Sequence, residues 1–261
     1  MIKAIVFDLD DTLYDDEATA DATIAATATA FQDRHGINPE VFRRQLRTTA
    51  REIWYVSPMA DYARTVGCSS WEGLWMQFYG VDNQAETMRQ WLSAYRLQAW
   101  EQTLRQLKVD QALLVDEMAR HFFEERRRRH TVYDDARPVL DSLRGRYALG
   151  LLTNGAVDLQ QEKIDGSGLA DYFDATVISG EIGIGKPDPA PFDLILKRLG
   201  VSVSETVMVG NSLGSDIAGA RAVGMKSIWL NRASLPNDSE TRPDAEVQTL
   251  GDIEPIVRDM R

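Results

Sequence analysis

The feature that most constrains this chain is a short apolar run that stops abruptly on acid. Ile2 to Phe7 is apolar and β-rich, and Asp8, Asp10 and Asp11 follow within four residues. A run of this kind suits a strand buried on both faces of a parallel sheet. Placing that much like charge at the end of a buried strand is costly unless a cation or a reaction compensates it. In open α/β sheets, ligands bind at the carboxyl ends of the strands. Asp8 and Asp10 stand two apart, so in an extended segment they share a side. One carboxylate can then attack or hold a metal while the other handles a proton. The same residues also fit an acidic solvated loop, or a cap for a following helix.

The rest of the chain supplies strands of the same kind, but only after a long helical interruption. From about Glu17 to Arg129 no convincing strand occurs. Helices are expected over Ala18–Arg34, from Pro39 onward, and over Asn83–Leu107, where Met88, Trp91, Leu92, Tyr95 and Ala99 recur at helical spacing. A last helix is expected behind an Asp110 cap, with Leu113, Leu114, Met118 and Phe122 facing inward. Gly67, Gly73 and Gly80 mark turns. From Asp134 the pattern alternates: strands at Tyr147–Thr153, Ala175–Ser179, Thr206–Gly210 and Ser227–Leu230, with helices at Pro191–Leu199 and Ser215–Val223. Alternation of this type implies parallel pairing through right-handed crossovers. Asn237–Asp244 is polar and expected as a surface loop. The expected architecture is therefore α/β: a Rossmann-like parallel sheet core from residues 1–16 and 131–261, with an all-helical domain of residues 17–130 inserted after the first strand. The linkers fall near Asp15–Glu17 and His130–Asp135, and two crossings make a natural hinge.

Three further strand ends carry chemistry-bearing groups. Thr153-Asn154-Gly155 offers a hydroxyl and backbone amides that suit phosphate oxygens, although an ordinary turn reads the same way. Lys186 sits in a proline-flanked turn and can neutralise a phosphoryl group beside carboxylates, or simply face solvent. Gly210-Asn211 through Asp216 closes another strand at a helix start, where Asp216 suits the first turn with or without a metal. Four such endings at successive strands point to one site. With Asp8 and Asp10, the oxygens of that site suit Mg²⁺, which takes few carboxylates, several waters and a substrate phosphate.

Composition sets outer limits. Hydrophobic residues make up 44% and charged residues 26% of 261, and the net charge is −11. That charge argues against nucleic acid or an anionic membrane as partner. The single cysteine, Cys68, fits a reducing compartment. No run reaches transmembrane length, and the opening residues lack a signal-peptide pattern, so a cytoplasmic location is expected.

With these residues in place, the sequence resembles the haloacid dehalogenase (HAD) superfamily, in its phosphatase branch with a helical cap. Asp8-Leu9-Asp10-Asp11-Thr12, Thr153-Asn154, Lys186-Pro187 and Gly210-Asn211 through Asp216 are similar to its four motifs. The resemblance implies a Mg²⁺-dependent phosphatase acting on a small phosphorylated metabolite. It implies that Asp8 attacks phosphorus and becomes an aspartyl-phosphate, while Asp10 protonates the leaving oxygen and then activates water. The Asp8 side chain and Asp10 carbonyl would bind Mg²⁺, with Asn211 and Asp216 completing the metal site. Thr153 and the Asn154 and Gly155 amides would hold the phosphoryl oxygens, with Thr12 beside them, and Lys186 would steady Asp8. The family's fourth motif usually has Asp where this chain has Asn211, which implies weaker Mg²⁺ binding. Dehalogenating relatives lack an acid at the Asp10 position, so phosphate ester hydrolysis is favoured; mutases share the motif, and a non-catalytic binding protein is the alternative from another class. In the cap, aromatics at helical spacing are more often core than ligand platforms; Trp71 and Trp75, on one helix face, are the better candidates for a substrate wall. The Arg126–Arg129 run is expected as a solvated helix end.

Overall fold

The computed structural model describes residues 1–79, 83–109, 114–237 and 239–260. The strands are β1 (Ala4–Phe7), β2 (Ala148–Thr153), β3 (Ala175–Ile178), β4 (Thr206–Gly210), β5 (Lys226–Leu230) and β6 (Ala245–Val247). They form one parallel sheet in the order β3-β2-β1-β4-β5-β6. Side chains alternate across it as the period of a strand requires. Ile5, Phe7, Leu149, Leu151, Val207 and Val209 share one hydrophobic cluster. Val6, Leu152 and Met208 belong to another, on the opposite face. Between β1 and β2 come the helices α1 (Asp16–His35), α2 (Pro39–Tyr55), α3 (Ala60–Val66), α4 (Ser70–Gly73), α5 (Asn83–Gln106), α6 (Leu114–Arg128) and α7 (Ala136–Leu143). Then follow α8 (Val157–Ser167), α9 (Pro189–Leu199), α10 (Ala218–Ala222) and α11 (Ile253–Asp259). Helices α7 and α11 cover the Phe7 face, and α9 and α10 the Val6 face.

Helices α1 to α6 enclose a third cluster of their own, built on Phe31, Phe42, Trp54, Trp100 and Phe122. It is not sealed from the sheet: Ala156 and Leu159, at the start of α8, complete it. The two chain crossings run side by side. Tyr14 pairs antiparallel with Val132, Asp15 N donates to Thr131 O at 2.9 Å, and Tyr133 N to Leu13 O at 3.0 Å. The expected Asp110 cap, Leu113 and the Gly80 turn lie outside the described residues. No helix among the described residues is long and apolar enough to cross a membrane.

Five elements were not anticipated: α3, α7, α8, β6 and α11. Strand β6 has only three residues, too few for a period to register. Helix α7 carries Pro138 in its first turn, where a missing N–H costs little. The helix expected from Ser215 is instead a wide turn over Leu213–Ile217, with five-residue hydrogen-bond spacing, that leads into α10.

The Arg126–Arg129 run is not a solvated end throughout. Arg126 is fully buried. It donates to Asp16 Oδ1 at 2.7 Å, Tyr14 Oη at 3.0 Å and the Arg129 carbonyl at 2.9 Å. It therefore ties the end of α6 to the start of α1, at the crossings. Burial pushes the Asp16 carboxyl up, but Lys163 and Arg126 outweigh it and hold the group down to about 2. A depressed carboxyl contributes stability that is present above its unfolded value and is lost as pH falls through its folded value. Arg126→Ala is expected to cost about 3 kcal/mol near neutral pH, because it removes one of the two buried cations paired with Asp16. The difference from wild type should shrink as pH falls toward about 2. Urea unfolding across that range checks this; a loss under about 0.5 kcal/mol at neutral pH is what a solvated arginine would give.

Candidate active site

The sheet order places the site. From β1 the chain steps outward to β2 and β3, then returns to lay β4 on the other side of β1. Such a reversal opens a crevice at the carboxyl ends of the two strands. Phe7 stands level with Val209 in β4 and Leu151 in β2, so Asp8, Gly210 and the end of β2 arrive together. After Asp8 the backbone turns sharply: the amides of Thr12, Leu13 and Tyr14 all donate to the Leu9 carbonyl. Asp11 takes a left-handed conformation (φ 56°) within this turn.

Lys186 fills the crevice. Its ammonium is buried and donates to Asp8 Oδ1 at 2.6 Å and to the Leu152 carbonyl at 2.6 Å, and it pairs with Asp216 Oδ1 at 2.7 Å. Burial alone would lower the lysine, but Asp216 and Asp8 more than reverse this and raise it above its ordinary value. Burial lifts Asp216 to about 6 despite Lys186. The lysine's backbone is gripped by one side chain: Asn154 Nδ2 donates to Lys186 O at 2.9 Å, and Lys186 N donates to Asn154 Oδ1 at 2.8 Å. Asn154 thus aims the loop as well as flanking the site.

The remaining expected residues divide. Thr153 lines the cavity, its hydroxyl accepting from Gln160 Nε2 at 2.6 Å. The Asn154 amide has no acceptor among the described residues, whereas the Gly155 amide donates to the buried Ser179 hydroxyl at 2.8 Å. Gly155 is therefore not a phosphate donor: a neighbouring loop already satisfies its N–H. Thr12 lies between Asp8 Oδ2 (3.2 Å) and Asn211 Oδ1 (3.4 Å), and its Oγ1 accepts from Asn211 N at 3.1 Å. Asp216 is more enclosed than Asp8: its side chain is 1% exposed against 10%, one oxygen faces Lys186, and the other accepts from Ser212 N at 2.9 Å.

Asp8 and Asp10, expected side by side, are drawn to different lysines. Both Asp10 oxygens are held from α8, a helix turn apart: Gln160 Nε2 reaches Oδ2 at 2.8 Å and Lys163 Nζ reaches Oδ1 at 2.9 Å. Burial raises Asp10 well above the usual carboxylate range, with Lys163 opposing and Asp16 and Glu72 adding to the rise. Gln160 and Lys163 were missed in the sequence because inward-facing polar residues break the apolar period of α8. The detectable signal was their i, i+3 spacing directly after Thr153-Asn154.

The crevice opens into a cavity of about 190 Å³ lined by Asp8, Asp10, Asp16, Glu72, Lys186 and Trp71, among others. Trp71 stands in its wall, donating to Asp16 Oδ2 at 2.7 Å. Trp75 does not share its helix face, since α4 stops at Gly73. Trp75 borders a separate, larger cavity of about 740 Å³ with Phe123, Arg127 and His130, away from Asp8.

Against known proteins, residues 2–224 match the family model of the haloacid dehalogenase-like hydrolases. The chain belongs to that family. Among curated relatives it is similar to phosphoserine phosphatase of Thermus thermophilus, 34% identical over 255 residues, or 97% of this chain and 98% of the relative. Among solved structures it is similar to the HAD-hydrolase YfnB of Bacillus subtilis bound to magnesium, with a TM-score of 0.67, 22% identity and 98% of each chain covered. At that identity the likeness speaks for the fold. It is also similar to a 2-haloacid dehalogenase of Pseudomonas syringae pv. Tomato, with a TM-score of 0.61, 28% identity, and 99% of this chain and 98% of that chain covered. As a HAD-like hydrolase, the chain is an enzyme.

A cation in this HAD-like crevice would meet only hard oxygen donors. No three His, Cys, Asp or Glu side chains among the described residues converge to hold a metal. Asp8 Oδ2 accepts only from Thr12, and the Asp10 carbonyl has no donor among the described residues. Two such oxygens, with the Asn211 amide nearby, fit an ion that keeps most of its waters.

Gly210 matters because a Cβ there would fall within the Asp216 carboxylate. Gly210→Ala is expected to push Asp216 off Lys186 and to lower turnover on the order of 10²-fold. Steady-state assay of the folded variant checks this, and wild-type turnover would show that Asp216 need not sit there.

Proposed function

We propose that this enzyme is a phosphomonoester hydrolase working through an aspartyl-phosphate on Asp8. The observation that carries the reading is the sorting of two neighbouring carboxylates. Asp8 is paired with a buried lysine, as suits an ionised nucleophile, and Asp10 is raised by burial, as suits an acid. An Asp8 oxygen attacks phosphorus and the bond to the leaving oxygen breaks. Asp10 delivers its proton to that oxygen. Asp10, now ionised, takes a proton from water as the water attacks phosphorus, which releases phosphate and restores Asp8. Lys186 holds Asp8 in place and balances the transferring charge. The Thr153 hydroxyl and Asn154 amide are the candidate phosphoryl donors. Asp8 and the Asp10 carbonyl would hold Mg²⁺, with Asn211 at its edge. Such an ion supplies charge compensation for the phosphoryl oxygens.

The same reading makes residues 17–130 a cap that excludes water and selects substrate over a core of residues 1–16 and 131–261. A cavity of about 190 Å³ lies below the roughly 300–1,000 Å³ of sites that take drug-sized ligands. It favours a compact phosphorylated metabolite over a nucleotide. Phosphoserine is the first candidate, because the Thermus relative is a phosphoserine phosphatase. The dehalogenase-like structure favours a second reading, carbon–halogen cleavage by the same attack. A halide departs without a proton, so that first step gives Asp10 no task.

The test is turnover of an aryl phosphate and of phosphoserine, with and without Mg²⁺, beside chloride release from a chlorinated acid. Phosphate release that needs Mg²⁺ and disappears in a folded Asp8→Asn variant is expected; chloride release alone contradicts the reading. Separately, Asn211→Asp should tighten Mg²⁺ activation, because it adds a charged oxygen where an amide now stands. A Mg²⁺ titration showing unchanged or weaker dependence counts against Asn211 as a ligand.

A further inference from the structure

Lys163 is fully buried, and its ammonium meets three carboxylates: Glu72 Oε1 at 2.8 Å, Asp10 Oδ1 at 2.9 Å and Asp16 Oδ1 at 3.0 Å. An ammonium has three donors and no acceptor, so its capacity is filled. The three partners come from three separate places. Asp10 lies in the turn after β1, Asp16 at the start of α1 beside the chain crossings, and Glu72 on α4 in the helical insert. Glu72 is itself fixed, since its other oxygen accepts from Ser69 N and Ser69 Oγ at 2.8 Å each. Asp16 is held by Arg126 and Trp71. The lysine therefore links the insert to Asp10 through one rigid, desolvated node.

We propose that Lys163 is a positioning residue that couples seating of the helical insert, through Glu72, to the placement of Asp10 against the leaving oxygen. Lys163 fixes Asp10 Oδ1 while Gln160 fixes Oδ2, which leaves the carboxyl one orientation toward the cavity. An insert that moves away takes Glu72 with it and removes one of the three anions holding the ammonium. Protonation of the leaving oxygen is then available only over a seated insert.

This inference rests on the phosphomonoesterase reading, and the experiment separates the two. We would measure kcat/KM for phenyl phosphate, whose leaving oxygen needs a proton, and for dinitrophenyl phosphate, whose leaving oxygen does not. The proteins are wild type, Lys163→Met, Asp10→Asn and their double variant. Lys163→Met should lower kcat/KM for phenyl phosphate by about 10²-fold and for dinitrophenyl phosphate by less than about tenfold. In the Asp10→Asn background it should cost nothing further, because it acts through Asp10. Equal losses on both esters, or a loss that adds to that of Asp10→Asn, overturn the positioning role and leave the phosphatase reading intact. Wild type that turns over neither ester overturns that reading and the inference with it. Removing the ammonium faces three buried carboxylates with one another, and Lys163→Met can fail to fold for that reason. Glu72→Gln keeps an oxygen for Ser69 and lowers the buried negative charge. It should lose about tenfold more on phenyl than on dinitrophenyl phosphate, and an unchanged ratio between the esters overturns the link to the insert.

Discussion

Two carboxylates at the ends of adjacent strands repel unless something cationic lies between them, and here it is Lys186. Its ammonium joins Asp8, after β1, to Asp216, after β4. That triad depends on the sheet order, because only the placement of β4 beside β1 brings the two strand ends together. It depends on Asn154, whose amide grips the lysine's backbone on both sides. It depends on Gly210, which leaves room for the Asp216 carboxylate. Removing Lys186 itself would leave two buried carboxylates unpaired, which is far more costly than losing a surface ion pair.

A second lysine does for Asp10 what Lys186 does for Asp8. Lys163 and Gln160 reach Asp10 from α8, and Lys163 goes on to the helical insert through Glu72. Counting formal charges, Asp10, Asp16 and Glu72 oppose Lys163 and Arg126, so the cluster is neutral when Asp10 carries a proton. The triad around Lys186 carries the same imbalance, Asp8 and Asp216 against one ammonium, but there burial lifts Asp216, to about 6. Two residues separated by one leucine occupy different electrostatic settings, as the proposed roles of nucleophile and acid require.

Much of this was legible in the sequence where local pattern and function agree. Strands β1, β2, β3, β4 and β5 are apolar runs with polar endings; Asp8 and Thr153 sit at strand ends, and Lys186 and Asp216 in the segments that follow β3 and β4, where a site belongs. What stayed hidden were groups whose polarity argues for the surface while the fold buries them. Lys163 and Gln160 make α8 look unpatterned, and Arg126 looks like one more cation in a solvated run. Their partners lie far away in the chain, Asp10 for Lys163 and Asp16 for Arg126, and no local period reports such pairings. Gly155 shows the converse: the motif suggested a free amide, but Ser179, across the β2–β3 pairing, had already claimed it.

The central claim is that Asp8 receives the phosphoryl group. Rapid acid quench during turnover of an aryl phosphate, followed by mass mapping of the digested chain, tests it most directly. A phosphoryl adduct on the peptide carrying Asp8, formed and lost at rates compatible with turnover, is the predicted result. Sustained phosphate release with no adduct, or with an adduct on another residue, would contradict it.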